Sequence, residues 1–159
     1  MITLRTEKEI DLLREANQRV ARVLQALAGM VKPGVTTATL DAAAEELIRA
    51  GGDEPSFKGY HGYPGSTCIS VDETVVHGIP GARVLEAGQI VSIDVGVLHR
   101  GYHGDAAVTV PCGAISAEKA ALLDATNEAL ARGIQAARAG NRLVEVGRAS
   151  CRERVYGLV

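Results

Sequence analysis

"IVSIDVGVLHRGYHGDAAVTV" covers Ile90 to Val110, and its alternation decides the fold. Val91, Ile93, Val95 and Val97 recur at every second position, and Ala106, Val108 and Val110 repeat the pattern after His99-Arg100. A period of two marks half-buried strands. With a turn centred on His99-Arg100, the two runs form a hairpin with one apolar face. The other face carries Ser92, Asp94, Gly96, His103, Asp105, Ala107 and Thr109. In that register Asp94 stands directly opposite Asp105, with Cβ atoms about 5 Å apart.

Two opposed carboxylates repel unless one is protonated or a cation lies between them. Carboxylate and imidazole ligation together suit Mn, Fe, Co or Zn. Two other readings remain open: solvent-facing aspartates on an exposed sheet, and an acid dyad sharing one proton. The nearby histidines of "HGIP" (His77 to Pro80) and "HGD" (His103 to Asp105) favour metal.

Outward from the hairpin, the pattern changes to helix. Thr6-Glu7-Lys8-Glu9 is a capping-box sequence. Ile10, Leu13, Val20, Leu24, Leu27 and Val31 follow near helical spacing, until Pro33-Gly34 ends the run. A second helix is predicted from about Thr37 to Ala50, with Leu40, Leu47 and Ile48 inward. A Gly/Pro/Tyr loop covers 53–66, followed by short strands at "TCISV" and "TVVHGI". Ser116 caps a third predicted helix reaching about Arg138, stopped by Gly140. Helices, a sheet and a further helix make an α+β chain. "ARVLQA" (Ala21 to Ala26) and "ARGIQA" (Ala131 to Ala136) each precede a basic residue, one residue and glycine, which suggests an internal repeat.

Composition narrows the function classes. The 159 residues carry a net charge of −2 with both signs interleaved, which provides no basic surface for nucleic acid or anionic membrane. Aromatics make up only 3%, with no Trp, so base-stacking platforms are excluded. No apolar run approaches the ~20 residues that span a bilayer, and the N-terminus has no signal-peptide core. Cys68, Cys112 and Cys151 are odd in number and widely spaced, which points to a reducing cytoplasm rather than a disulfide framework.

"KGYHGYPGSTCISVDETVVHGIP" (Lys58 to Pro80) and "GQIVSIDVGVLHRGYHGDAAVTVPCG" (Gly88 to Gly113) together resemble the N-terminal half of a type I methionine aminopeptidase, over about residues 2–146. Related pita-bread enzymes that cleave X-Pro bonds share a similar Asp pair but lack this combination of tyrosine-rich loop and HGIP. The resemblance implies the first half of a pita-bread fold, an antiparallel sheet with helices on one face. It implies two divalent ions (Co, Mn, Fe or Zn), with Asp94 chelating one and Asp105 bridging both. His77 would contact substrate near the scissile peptide and act in catalysis, while Tyr60, Tyr63 and Cys68 would line the pocket for a methionine side chain. His103 is either a group behind the ligands or a surface histidine; His61 and His99 carry no assignment. Asp72 stands where the family more often has Asn, which puts a monovalent-ion site there in doubt.

The expected activity is removal of the initiator methionine from nascent chains by a cytoplasmic enzyme, monomeric when complete. The alternative is a non-catalytic pita-bread module that binds peptides or proteins. The resemblance also implies one His and two Glu ligands that this sequence does not contain, so catalysis by the chain alone is not expected. "GRASCRERV" (Gly147 to Val155) lacks apolar periodicity and back-translates into a common sequencing adapter read in one frame. The expectation is therefore a native stretch over 1–146 and a non-native tail over 147–159.

Overall fold

Thr6 opens the first helix as its spacing predicts. In the computed structural model, which describes residues 4–150, the Glu9 N–H donates to Thr6 Oγ1 at 3.4 Å. The Thr6 N–H in turn donates to Glu9 Oε2 at 2.8 Å, closing the capping box. Helix α1 runs Glu7–Met30 and α2 Thr37–Ala50, followed by β1 (Glu54–Pro55), a 3₁₀ turn (Tyr60–Gly62) and β2 (Thr67–Val71). Strands β3 (Gln89–His99) and β4 (Tyr102–Cys112) form the long hairpin, and α3 (Ala117–Ala136) and α4 (Leu143–Ala149) follow. The chain divides into two compact units, residues 1–115 and 116–159.

In the first unit β3 is the central strand. Strand β4 pairs along its whole length on one side, while β2 and β1 lie end to end on the other, all antiparallel. The faces are those the alternation predicts, but the register is not. Asp94 pairs with Ala107, and Asp105 with Gly96, so the two acids are diagonal rather than opposite. The turn causes the shift. It consists of Arg100 and Gly101, with φ of +49° and +83°. A two-residue hairpin whose twist matches its strands needs positive φ at both positions, and Gly101 adopts that without a Cβ clash. The slip amounts to two residues, one full pleat, so every side chain keeps its face.

The apolar face is the core. Val91, Ile93, Val95 and Val97 are fully buried beneath Val20, Leu24 and Leu27 of α1 and Leu40, Ala44 and Ile48 of α2. Fully burying one such side chain contributes about 1.5–3 kcal/mol. Helices therefore cover one face of this sheet, as the α+β pita-bread reading requires. One residue expected to point inward does not: Leu47 is 41% exposed. Leu47 faces away from the core that its neighbour Ile48 enters.

"TVVHGI" is not a strand. Val75 and Val76 are exposed; Thr74 N–H donates to Val71 O (3.2 Å), and Gly78 docks on β2 through Ile69 N–H to Gly78 O (2.8 Å) and Gly78 N–H to Ser70 Oγ (3.0 Å). A Cβ on Gly78 would stand 2.2 Å from Ile69 O, so the backbone reaches β2 only because this residue is glycine.

The second unit is a helical hairpin. Ser116 caps α3 by accepting the Lys119 N–H, and the Arg142 N–H donates to Glu145 at the start of α4. Leu130, Ile134, Leu143 and Val144 are exposed. The repeat signalled by the two short motifs has a backbone counterpart. Each helix pair is joined by residues 31–36 or 137–142, with Gly34 and Gly140 at the same place and φ of +90° and +95°. Helix α4 extends to Ala149, so the first residues of the expected tail are helical; residues 151–159 lie outside those described. Cys68 and Cys112 are free and buried, and Cys151 is also outside the described residues.

Candidate metal centre and adjoining cavity

Asp94 and Asp105 project from the polar face of the hairpin into one cavity of about 550 Å³. Tyr60, Tyr63, Cys68 and His77 line the same cavity, so all six residues singled out in the sequence converge there. Different elements deliver them. The 3₁₀ turn carries Tyr60, and Tyr63 follows it. Strand β2 brings Cys68 directly beside Asp94 through its register, and the loop against β2 presents His77.

The electrostatics at Asp94 are those of an unfinished site. Its Oδ1 is buried and has no hydrogen-bond partner. Burial, then the charge of Asp105 and a hydrogen bond between the two carboxyls, push Asp94 up to about 6, with His77 pulling the other way. Burial is also the first cause holding the Cys68 thiol above its ordinary range, reinforced by the neighbouring aspartates, so it remains a neutral, apolar wall. Tyr63 is raised too, by burial first and then by Cys68. Its hydroxyl donates to Thr67 O at 2.9 Å, with Gly78 O at 3.3 Å.

A cation fits this arrangement on the chemistry of its donors. A buried orphan oxygen and a second carboxyl on the same face are two oxygen ligands lacking a counter-charge. Among the described residues, however, no group of three or more His, Cys, Asp or Glu is gathered as a complete ligand set.

Several residues passed over in the sequence belong here. Phe57, His61 and Ile79 also line the cavity. The Phe57 ring lies over Gly96, the partner of Asp105, where a Cβ would meet it at 2.6 Å. The glycine at the centre of a β-run was the available signal for such a close approach. His61 stacks edge-on against Tyr60, with ring centroids 4.3 Å apart. His103 is exposed, and its Nδ1 is 2.9 Å from Ser56 Oγ rather than in the cavity. Asp72 takes φ +53°, a conformation Asn and Asp tolerate best, and accepts the Ile90 N–H at 3.0 Å. Among the described residues, no helix is long and apolar enough to cross a membrane.

The sequence model of metallopeptidase family M24 matches residues 11–154. The chain is 48% identical over 149 residues to methionine aminopeptidase 1 of Bacillus subtilis (strain 168), covering 94% of this chain and 60% of that protein. It is 47% identical over 146 residues to a methionine aminopeptidase of Clostridium perfringens, covering 92% and 59%. A crystal structure of methionine aminopeptidase from Rickettsia prowazekii superposes with a TM-score of 0.92 at 34% identity, over 94% of this chain and 60% of that one. The chain thus spans about 60% of the length of the relatives it matches.

Proposed function

Because the chain belongs to metallopeptidase family M24, we propose that its polar sheet face is the first part of a metal-dependent aminopeptidase site. The site would remove the initiator methionine from nascent chains. The observation that carries the proposal is Asp94: its Oδ1 is buried without a partner, with the carboxyl of Asp105 beside it, on the wall of a cavity. A module that only binds peptides has no use for that repulsion.

Asp94 and Asp105 would hold two divalent ions (Mn, Fe, Co or Zn), together with ligands from outside this sequence. Bound divalent ions supply Lewis-acid polarisation of the scissile carbonyl. The remaining roles belong to this chain's own side chains. His77 stands on the cavity wall within electrostatic reach of Asp94 and would contact the substrate at the scissile peptide. Tyr60, Tyr63 and Cys68 would enclose the methionine side chain, and Phe57 joins them as a further wall. A neutral thiol and aromatic rings suit an unbranched thioether. The protein would work in the cytoplasm, on N-terminal Met peptides, as a monomer once complete.

Titrating the completed chain, with the ligands missing from this sequence supplied, with Mn²⁺ tests the metal reading: binding that is lost in both Asp94→Ala and Asp105→Ala is expected, and no divalent binding leaves the peptide-binding module standing. The 159-residue chain alone is expected to release no methionine from a Met-Ala peptide, since the ligand set is partial; detectable release overturns that expectation. Residues 1–146 are further proposed as the native part and 147–159 as a foreign tail. An intact genomic copy of the tail, read by an adapter-free method, would remove that proposal.

A further inference from the structure

Helix α2 contributes no residue to the cavity lining, yet both loops that form the cavity are tied to it. Thr37, Asp41 and Glu45 recur every four residues and so share one helical face. Thr37 is buried, at 2% exposure. Its hydroxyl donates to Gly81 O at 3.0 Å and accepts the Gly81 N–H at 2.9 Å, while the Thr37 and Ala38 N–H groups donate to Arg83 O and Gly81 O. The segment after His77 is therefore clamped to the first turn of α2. One turn on, a single oxygen of Asp41 accepts three donors: Ser66 N–H (2.9 Å), Thr67 N–H (2.8 Å) and Thr67 Oγ1 (2.7 Å). Glu45 then accepts from Ser66 Oγ at 3.2 Å and pairs with Lys58.

These contacts lead directly to the cavity residues. Thr67, held by Asp41, accepts the Tyr63 hydroxyl on its carbonyl and precedes Cys68. Gly81, held by Thr37, closes the loop that begins at His77. His77 itself has φ +58°, a conformation a non-glycine residue keeps only when its surroundings fix it. We infer that Thr37 and Asp41 are positioning residues for the substrate pocket: Thr37 sets the loop of His77, and Asp41 sets the loop of Tyr63 and Cys68. The inference rests on the functional reading above for the meaning of the pocket. The residue types are specific. A hydroxyl both donates to and accepts from Gly81 through one atom, and a carboxylate makes charge-assisted bonds to backbone amides.

The test uses the full chain, isotopically labelled, in three variants. Thr37→Val is expected to shift the His77 ring signals and speed amide exchange at Gly78 and Ile69 at least ten-fold, with the Tyr63 ring, which also reaches Gly78 O, moving less than in Asp41→Ala. Asp41→Ala is expected to do the reverse, moving Tyr63 and Thr67 and leaving His77. Thr37→Ser restores the unaltered spectrum. Amides of Leu24 and Leu27, in the core stretch of α1, serve as the core reference and stay unchanged. If neither ring moves, or if each variant moves both loops together with the core amides, the inference is overturned. Should Asp41→Ala fail to fold, Asp41→Asn replaces it under the same criteria with a smaller displacement. L-methionine amide, titrated into the unaltered chain with Mn²⁺, separates the two levels. Absence of binding there sinks the substrate assignment, while the ring signals still decide the positioning.

Discussion

Asp53 lies against the His99 end of β3 and Asp94 at its centre; Asp53 is buried, while Asp94 is half-buried with its Oδ1 withdrawn from water. Their surroundings differ completely. Asp53, with only 4% of its side chain exposed, receives Arg19 Nη1 at 2.9 Å and faces His99 Nδ1 at 2.7 Å. His99 in turn reaches Glu15 at 3.1 Å, so both oxygens of Asp53 have partners, although the buried Arg19 Nε has none. Asp94 has an orphan oxygen and a second carboxyl as neighbour, with His77 acting only weakly against that charge. A buried charge with a full set of partners is there to hold the structure. A buried charge that is left short marks a place where something from outside completes it.

The largest test of that contrast is Asp53→Ala. Stranding Arg19 and His99 is expected to cost about 3–5 kcal/mol of stability by urea unfolding, with Mn²⁺ affinity unchanged. A matching fall in Mn²⁺ affinity would erase the distinction between the two acids. Asp94→Asn should behave in the opposite sense. Mn²⁺ affinity falls about 100-fold, or ~2.7 kcal/mol, while the metal-free protein becomes more stable by about 1 kcal/mol because a repulsion has gone. A destabilised metal-free variant would show that Asp94 has a partner after all.

The pH response sharpens the same point. Because the folded protein raises Asp94 to about 6, it binds more protons than the unfolded chain from the ordinary aspartate range up to that value. Stability of the metal-free protein from this group therefore falls as pH rises through that window. The advantage of Asp94→Asn should widen from pH 4 to 6 and then level off; a constant difference across unfolding curves would count against the carboxyl pair. Mn²⁺ affinity should weaken below about pH 6 as protons compete. The smallest effect concerns the turn. Arg100→Gly relieves positive φ, a strain of ~1 kcal/mol, part of which is cancelled by the extra freedom of glycine in the unfolded chain. A net gain of about 0.5 kcal/mol in thermal unfolding is expected, and a loss would mean that Arg100 makes a contact worth more than its strain.

These comparisons also show what a linear sequence can carry. The faces of the hairpin were readable because side-chain direction follows from the pleat alone. Its register was not, since that depends on the backbone angles of Arg100 and Gly101, which favour a later turn than His99-Arg100. The convergence of Tyr60, Tyr63, Cys68 and His77 on the acids came from family resemblance, not spacing. His99 looked inert because Asp53 and Glu15 are 46 and 84 residues away. Phe57 was missed for a similar reason: its position depends on a glycine across a strand. Val75 and Val76 suggested a strand by residue type, but the segment meets β2 only at its two ends, through Thr74 and Gly78, so they stayed outside the sheet. Helix α2 was legible over its full extent, yet nothing in its pattern distinguished Thr37 and Asp41 from ordinary polar positions.

The two-residue turn between His99 and Tyr102 restricts how the hairpin can change length. Parity is what matters there. An added pair of residues would lengthen the tip and leave Asp105 with Asp94, whereas a single inserted residue would turn β4 over, sending Asp105 towards Val20 and Leu24 and bringing Val108 out to the cavity. Length variants of this loop should therefore retain metal binding only when the change is an even number.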